Sequence, residues 1–366
     1  MKAALLVRPG EVVVDEIADP EVGPDDVSIA VGGVGLCGSD LSVFSGKWAA
    51  PSYPWIMGHE AFGTIAAIGR NVPDDRMGQT VVVEPNIACL ACEQCGRGRT
   101  SACVARQSVG MNRPGALAER LVVPNRFAWA IDGPPPEDLV CVEPTTVVTA
   151  ALRRLGPVIP ESALVVGIGA QGLLMSVALL ERGVAVYGHD INPGRIAFAE
   201  GLGVRPAATD EAGPRFDLVV DTVGSPASFS AAIDRLEVAG TLLLLGLDDR
   251  PLELTAQAVV RRQMVLRGSL TYDHPTDFQA SVALVEAGTF APGRVVSDAY
   301  VLDDAQLAFE RSGTAVGKSW IRIDGAPEPS RPPPLASRRI GHCPTMRNGG
   351  PHRPASSVPR NPRERP

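Results

Sequence analysis

The feature that most constrains the fold is a strand–turn–helix–strand pattern over residues 163–190. The apolar run Ala163-Leu164-Val165-Val166 ends in the glycine-rich turn Gly167-Ile168-Gly169-Ala170-Gln171-Gly172. Apolar residues then recur at helical spacing as far as Gly183, and a second short apolar run ends at Asp190. These changes of period predict a strand, a helix and a second strand, joined by a turn that needs glycine.

The context of this turn indicates a dinucleotide-binding site. G-x-G-x-x-G alone is common in tight turns, but here Gly167, Gly169 and Gly172 follow a strand and open a helix. Gly169 lets the backbone approach a pyrophosphate, whose charge the helix N-terminus stabilises. Asp190, 18 residues after Gly172, is expected to accept the ribose hydroxyls and to repel a 2′-phosphate. The pattern therefore predicts NAD, while Arg195, which can turn toward the ribose edge, leaves NADP open.

The two halves of the chain carry different patterns. Strand and helix signals alternate to about residue 268, which predicts a parallel sheet with helices on both faces. Residues 1 to about 145 instead carry short β-branched runs separated by Gly, Pro and Asp, as in a small barrel or sandwich. The predicted fold class is α/β, and 366 residues suffice for two domains.

Two segments of the β-rich half carry candidate metal ligands. They are Cys37-Gly38-Ser39-Asp40 and Met57-Gly58-His59-Glu60. A thiol, an imidazole and a carboxylate suit zinc, and three protein ligands leave an open position, as in catalytic zinc sites. A packed thiol and a hydrogen-bonded core histidine explain the same residues without a metal. The motif alone leaves both interpretations open.

A second cysteine cluster has the spacing C-x2-C-x2-C-x7-C, with Cys89, Cys92, Cys95 and Cys103. Four thiolates within 15 residues can close a tetrahedral structural zinc site around a loop that lacks its own core. The alternatives are an iron–sulfur cluster, which uses the same donors, a redox role, or a chance clustering of buried thiols. The seven cysteines of the chain are odd in number and clustered, which favours metal binding over disulfides.

Charge and hydropathy exclude several classes of function. Residues 331–366 contain eight Arg and one Glu, so they carry +7, whereas the rest carries −14 of the total −7; this argues against nucleic acid as the main partner. Nine prolines in the same 36 residues predict a disordered tail from about residue 325, and we give its His342 and Cys343 no metal role. No apolar run is long enough to span a bilayer, and the N-terminus lacks a secretory apolar region. We therefore expect a cytoplasmic protein without a membrane partner.

Three motifs together resemble one enzyme family. Gly58-His59-Glu60-x-x-Gly63-x5-Gly69 resembles the signature of the zinc-containing medium-chain alcohol dehydrogenases. The four-cysteine segment and the glycine-rich turn follow in the order and spacing of that family. The resemblance covers about residues 1–324 and implies a GroES-like catalytic domain of residues 1–147 and 275–324. A Rossmann NAD-binding domain, a doubly wound parallel sheet over residues 148–274, interrupts it, and such chains form homodimers or homotetramers.

The resemblance also implies roles for individual residues. It assigns the catalytic zinc ligands to Cys37, His59 and Glu143, with Glu60 coordinating directly or exchanging with water. Asp40 resembles the acid that orients the zinc histidine, and Ser39 resembles the hydroxyl that receives the substrate proton. The second zinc would be held by Cys89, Cys92, Cys95 and Cys103.

Details of the match point to the polyol branch. Glu143-Pro144 matches the Glu-Pro of sorbitol-type members, whereas Cys141, two residues early, is interpreted as a packed thiol. Ser42 stands where relatives often have a relay histidine, and Thr271-Tyr272 replaces the Arg-Tyr of sorbitol dehydrogenases. Candidate residues of the substrate wall are Phe44, Trp48 and Tyr272.

The resemblance implies oxidation of a secondary alcohol of a polyol, cyclitol or aminocyclitol by NAD. Residues 37–54 are similar to aminocyclitol dehydrogenases of the 2-deoxy-scyllo-inosamine type, and threonine 3-dehydrogenase-like or general secondary-alcohol activity is the alternative. A zinc-free quinone reductase lacks the Cys and His ligands. A zinc-bearing binding module without catalysis is disfavoured by the acidic body and the complete glycine-rich turn.

Overall fold

The computed structural model describes residues 1–157, 160–208 and 213–323 of the chain. The predicted tail, with His342 and Cys343, lies outside the described residues. Among the described residues, no helix combines the length and the apolar character that a membrane crossing requires.

The described residues form 18 β-strands and ten α-helices. The strands are β1 (Lys2–Arg8), β2 (Glu11–Glu16), β3 (Asp26–Gly35), β4 (Trp55–Ile56), β5 (Glu60–Ile68), β6 (Thr80–Val83), β7 (Asn86–Ile87), β8 (Gln107–Ser108), β9 (Arg120–Pro124), β10 (Ala128–Ala130), β11 (Ser162–Val166), β12 (Ala185–His189), β13 (Arg205–Pro206), β14 (Phe216–Asp221), β15 (Leu236–Leu244), β16 (Val265–Gly268), β17 (Val296–Val301) and β18 (Lys318–Arg322). The α-helices are α1 (Gly38–Phe44), α2 (Glu93–Gly96), α3 (Pro136–Leu139), α4 (Val142–Leu155), α5 (Ala170–Leu180), α6 (Pro193–Gly201), α7 (Pro226–Asp234), α8 (Ala256–Arg262), α9 (Thr276–Glu286) and α10 (Ala305–Ser312).

The β-rich half forms a mainly antiparallel seven-stranded sheet. Its order is β10-β6-β5-β3-β18-β17, and β9 also pairs with β3. The last strand, β18, lies antiparallel to β3 and aligns Trp320 with Gly35. The end of the described chain therefore completes a sheet that begins near the N-terminus. Two smaller sheets, β2-β1-β4 and β7-β8, belong to the same half of the chain.

The middle of the chain forms a six-stranded parallel sheet in the order β13-β12-β11-β14-β15-β16. Successive residues of β11 belong to different buried clusters: Ala163 and Val165 to one, Leu164 and Val166 to the other. Both faces of this sheet are therefore buried, as the alternating strand and helix signals predict. The predicted doubly wound α/β sheet is confirmed.

Polar caps explain where the helices of this sheet begin. Asn192 accepts a hydrogen bond from the backbone N–H of Gly194 at 2.9 Å, and α6 then starts with Pro193. Ser225 accepts from the N–H of Ser228 at 3.1 Å before α7. A side-chain acceptor followed by proline satisfies the free N–H groups at a helix start.

One helix connects the two sheets. The expected boundary between residues 147 and 148 falls inside α4, which packs against α5 and α9. The Nε of Arg153 on α4 donates to Oδ1 of Asp277 on α9 at 2.6 Å. The two sheets are therefore joined by a continuous helix.

Candidate functional site

A cleft of about 450 Å³ lies between the antiparallel and the parallel sheet. A volume of this size suits a small-molecule site. Its wall combines residues of both halves of the chain, among them Cys37, Ser39, Trp48, His59, Glu60, Asn86, Arg106, Ser108, Glu143, Gln171, Thr222, Val223 and Thr271. The cleft therefore contains candidate metal ligands and the region of the glycine-rich turn.

Strand pairing brings the first metal-ligand candidates together. Cys37 follows β3 and precedes α1, while Glu60 opens β5 directly after His59. The β3–β5 ladder pairs Gly35 with Glu60. As a result, one donor atom each of Cys37, His59 and Glu60 lies within 4.8 Å of the others. This sulfur, nitrogen and oxygen set fits zinc.

Asp40 connects the two segments of this cluster. Its buried carboxylate accepts hydrogen bonds from the backbone N–H of Cys37 at 3.0 Å and of Gly58 at 3.1 Å. It also lies 3.1 Å from Nδ1 of His59. Because a carboxylate only accepts, His59 donates through Nδ1 and keeps Nε2 available for a metal. Burial lowers the pKa of His59, but the charge of Asp40 and its hydrogen bond raise it well above the ordinary value.

Glu60 has a partner that the sequence does not reveal. Its carboxylate contacts the ammonium of Lys318 on β18, and each side chain is 1% exposed. Lys318 Nζ also donates to the carbonyl of Leu36 at 3.2 Å. Burial lowers the pKa of Lys318, but the charge of Glu60 outweighs this and raises it above the usual range. Two buried opposite charges stabilise each other, whereas either one alone would be strongly disfavoured.

Glu143 faces the same cleft from the first turn of α4. It lies outside the tight group of three donors but is electrostatically coupled to His59 and Glu60. Burial raises its pKa to about 7, against the opposing effect of His59. It also shares a hydrogen bond with Tyr272. This neighbourhood agrees with its assignment near the metal, while Cys141 is fully buried and its pKa is raised by burial.

The four-cysteine lobe, residues 89–103, brings its thiols to one point. Cys92 Sγ lies 3.5 Å from Cys95 Sγ and 4.0 Å from Cys103 Sγ, and Cys89 Sγ lies 4.0 Å from Cys95 Sγ. A tetrahedral zinc with Zn–S bonds of about 2.3 Å requires sulfur separations of about 3.8 Å. The backbone N–H groups of Cys95 and Val104 lower the pKa of Cys92 to about 6. The lobe is thus arranged for a closed thiolate site.

Polar contacts hold this lobe against the rest of the chain. Thr100 Oγ1 accepts from the N–H of His274 at 2.6 Å, and the N–H of Ser101 donates to Asp273 Oδ1 at 2.9 Å. His274 Nδ1 in turn lies 2.8 Å from the buried carboxylate of Glu84. The lobe is therefore fixed to the segment that precedes α9.

Glycine is needed at each of the three positions of the turn for a different physical reason. Gly167 has φ +86°, a left-handed conformation, and a Cβ at Gly172 would lie 1.9 Å from the carbonyl oxygen of Gly167. A Cβ at Gly169 would approach only the guanidinium of Arg195, at 3.8 Å. Gly169 therefore leaves an open backbone surface at the start of α5, which fits a pyrophosphate.

Asp190 lies beside this turn. Its Oδ2 accepts from the N–H of Ile168 and its Oδ1 from that of Asn192, both at 2.8 Å. Each carboxylate oxygen retains a lone pair for a ribose hydroxyl. Arg195 Nη1 lies 3.6 Å from Asp190 Oδ2, while the carbonyls of Gly313 and Ala315 accept its other N–H groups. The glycine-rich turn and Asp190 therefore lie together at the carboxyl ends of the neighbouring strands β11 and β12.

Two of the substrate-wall candidates lie elsewhere. Tyr272 is 2% exposed and its hydroxyl accepts from Asn86 Nδ2 at 3.1 Å, behind the cleft surface. Phe44 stacks on Phe309 with ring centroids 4.9 Å apart. Trp48 does line the cleft. Phe44 therefore packs against the hydrophobic core and is not part of the cleft wall.

Sequence reasoning did not identify the polar wall formed by β7 and β8. Asn86 pairs with Ser108 across this two-stranded sheet, and Ser108 Oγ lies 3.1 Å from Asn86 Oδ1. Asn86 Nδ2 reaches Thr271 Oγ1 at 3.1 Å. Arg106 lies two residues before Ser108. In the sequence, Asn86 lies two positions after Glu84 in a short β-type segment, and nothing in this pattern indicates that its side chain lines a cleft.

Ser39 and Ser42 lie on the first turns of α1 and both line the cleft. Ser42 Oγ donates to the carbonyl of Gly38 at 3.0 Å, an internal helix contact. Among the described residues, Ser39 Oγ has no hydrogen-bond partner, so this hydroxyl remains available in the cleft.

Comparison with known proteins adds the family. The profile described as "Alcohol dehydrogenase GroES-like domain" matches residues 23–133, and that of "Zinc-binding dehydrogenase" matches residues 170–287. The chain is 32% identical over 309 residues to D-altritol 5-dehydrogenase of Agrobacterium fabrum, covering 81% of this chain and 91% of that protein. It is 30% identical to L-threonine 3-dehydrogenase of Chelativorans sp., covering 86% and 97%. Galactitol-1-phosphate dehydrogenase of Escherichia coli has the same fold, with TM-score 0.80, 25% identity and coverage of 88% and 100%.

Proposed function

Because the chain belongs to the zinc-containing medium-chain alcohol dehydrogenases, we propose that it oxidises a secondary alcohol of a polyol, cyclitol or aminocyclitol to a ketone, with NAD as the oxidant. One observation carries this proposal. The donor cluster of Cys37, His59 and Glu60 shares a single cleft with Gln171 and Thr222, which belong to the nucleotide side. An alcohol bound in that cleft would lie next to both the metal ligands and the nucleotide-binding residues.

The residues have distinct tasks in this proposal. When bound, zinc supplies a Lewis acid and the dinucleotide supplies the hydride acceptor. Cys37, His59 and Glu143 hold the metal, and Asp40 fixes the ring of His59. Glu60, tied to Lys318, coordinates or exchanges with water. Ser39 accepts the proton of the substrate hydroxyl. Because Ser42 occupies the position of the relay histidine of many relatives, water carries the proton further.

The wall of the cleft supports a hydroxyl-rich substrate. Asn86, Ser108 and Thr271 offer amide and hydroxyl groups within one hydrogen-bonded set, and such groups bind polyol hydroxyls. The relative D-altritol 5-dehydrogenase is named for a polyol. The 30% identity to L-threonine 3-dehydrogenase favours threonine as the second candidate substrate.

The same reasoning covers the cofactor and the assembly. Asp190 favours NAD because its carboxylate would repel a 2′-phosphate. We assign a structural zinc to Cys89, Cys92, Cys95 and Cys103, a catalytic domain to residues 1–147 and 275–324, and the nucleotide domain to residues 148–274. A homodimer or homotetramer in the cytoplasm completes the proposal.

A substrate panel tests it. Polyols, cyclitols, aminocyclitols, threonine and simple secondary alcohols are incubated with the zinc-loaded protein and NAD or NADP, and reduced cofactor is read by absorbance. We expect two zinc atoms per chain and NADH formation with a polyhydroxy substrate. One zinc per chain, or no reduced cofactor with any alcohol, would refute the proposal.

A further inference from the structure

A cationic side chain, Arg106, lines the cleft next to the hydroxyl-binding wall. Arg106 belongs to the cleft surface together with Asn86 and Ser108. Its side chain is part-buried, and its Nη1 donates to the carbonyl oxygen of Ser101 at 2.7 Å. Among the described residues, no carboxylate forms an ion pair with Arg106.

The backbone directs Arg106 into the cleft. Arg106 directly precedes β8 and lies two positions before Ser108. In an extended backbone these two side chains point to the same face, and both line the cleft. Gln107, between them, is exposed and is not part of the cleft wall. Ser101, whose carbonyl oxygen accepts a hydrogen bond from the guanidinium, belongs to the four-cysteine lobe. The lobe therefore positions this cation.

Charge makes this position informative. Arginine stays protonated, and a guanidinium forms its strongest pairs with planar or multi-oxygen anions. Of the two carboxylates in the cleft, Glu60 already has Lys318 as its partner, and Glu143 lies beside His59 and Glu60. The free N–H groups of Arg106 are thus available to a ligand.

We propose that the substrate carries an anionic group, a carboxylate or a phosphate, that Arg106 binds while the secondary alcohol lies at the metal cluster. The inference rests on the proposed function and narrows its substrate class to acidic polyhydroxy compounds. Asn86, Ser108 and Thr271 bind the hydroxyls between the two ends. Arg106 is then the residue that determines specificity for the anionic end.

The test compares three substrates of one carbon configuration: a hexitol, its aldonate and its 1-phosphate. Initial rates with zinc-loaded protein and saturating NAD give kcat/KM for each. We expect at least one anionic substrate to exceed the hexitol about tenfold or more, and R106Q to reduce that ratio about 10-fold to 100-fold, mainly through KM. The aldonate and phosphate rates identify which anion is preferred. R106K is expected to keep part of the preference.

R113Q is the matched control. Arg113 lies seven positions further along the same loop region, but its guanidinium donates to Gln107 Oε1 and to the carbonyl of Val122, outside the cleft wall. It should leave the ratio unchanged. Melting temperatures of both variants identify any general loss of folding. Added salt should lower the ratio in the wild type, because a charge pair is screened.

The outcomes separate this inference from the proposed function. If neutral alcohols are oxidised and R106Q has the wild-type ratio, or R113Q shifts the ratio as much, the anion inference is wrong and the dehydrogenase proposal stands. If no alcohol is oxidised, the dehydrogenase proposal is wrong. Calorimetric binding of the aldonate and the phosphate to the zinc- and NADH-loaded protein then still decides: binding that R106Q weakens supports Arg106 as the anion site, and equal or no binding overturns it.

Discussion

The two cysteine-containing regions of this chain differ in how they are built. The four-cysteine lobe draws all its sulfurs from residues 89–103. The cleft cluster takes Cys37 from the end of β3 and His59 and Glu60 from the start of β5, and its cation Lys318 comes from β18. One region is local in sequence and the other depends on the complete antiparallel sheet. We therefore expect metal loss from the four-cysteine lobe to destabilise the fold, and metal loss from the cleft to stop catalysis alone.

Cys92→Ser should produce the largest change. The lobe lacks an apolar core, so losing one thiolate of a closed site removes both the metal and the folding energy that it supplies. We expect one zinc fewer per chain and a fall in the free energy of unfolding of about 4 kcal/mol or more. Zinc analysis and denaturant unfolding measure both. Cys141→Ala is the control, and unchanged zinc content in Cys92→Ser would contradict the assignment.

Cys37→Ser should stop activity without unfolding the chain. The sheet around it is held by pairings of β3 with β5, β9 and β18, which do not need a metal. We expect kcat to fall about 1,000-fold or more, since Lewis-acid catalysis is worth several kcal/mol. The melting temperature should change by only a few degrees. A variant that melts as early as Cys92→Ser would remove the contrast between the two regions.

Asp40→Asn should weaken the cluster to an intermediate degree. Asparagine keeps the shape of Asp40 but loses the charge that faces His59 Nδ1 and two backbone N–H groups. We expect zinc affinity at the cleft to fall about 10-fold to 100-fold, measured by competition with a chelator. Asp221→Asn is the control, because Asp221 is equally buried and accepts from the N–H groups of Val223 and Gly224. Equal loss of affinity in both would contradict a role for Asp40 at the metal.

Glu143→Gln should produce the smallest change in the free energy of unfolding, and we expect this change in metal-free protein, where no zinc holds Glu143 ionised. The pKa of Glu143 is raised from 4.5 to about 7 in the folded chain. The folded state therefore keeps a proton that the unfolded chain has lost, so stability is present at low pH and is lost as pH rises through about 7. One proton contributes at most about 1.4 kcal/mol per pH unit.

Denaturant unfolding of chelated protein at several values between pH 5 and pH 8 checks this. The wild type should lose stability with rising pH relative to Glu143→Gln. Parallel curves would show that Glu143 does not titrate in this range.

Local patterns allowed much of this molecule to be predicted. The glycine-rich turn, the four-cysteine lobe and Asp190 each depend on residues within about 30 positions, where spacing restricts geometry. Contacts between distant segments are different: the guanidinium of Arg154 on α4 donates to Ser269 Oγ at 2.6 Å, 115 positions along the chain. Lys318 lies 282 positions from the carbonyl of Leu36 that it contacts. No spacing rule indicates such a pair, because only the closure of the sheet creates it.

The position of Lys318 has a consequence for the order of events during translation. A growing chain contains all four lobe cysteines once residue 103 has been made, but it contains no cation for Glu60 until residue 318. Until then β3 also lacks β18 as a neighbour. A zinc ion met early by the nascent chain therefore has a complete set of thiols in the lobe and an unfinished site in the cleft. The two metal regions are therefore completed at different stages of translation.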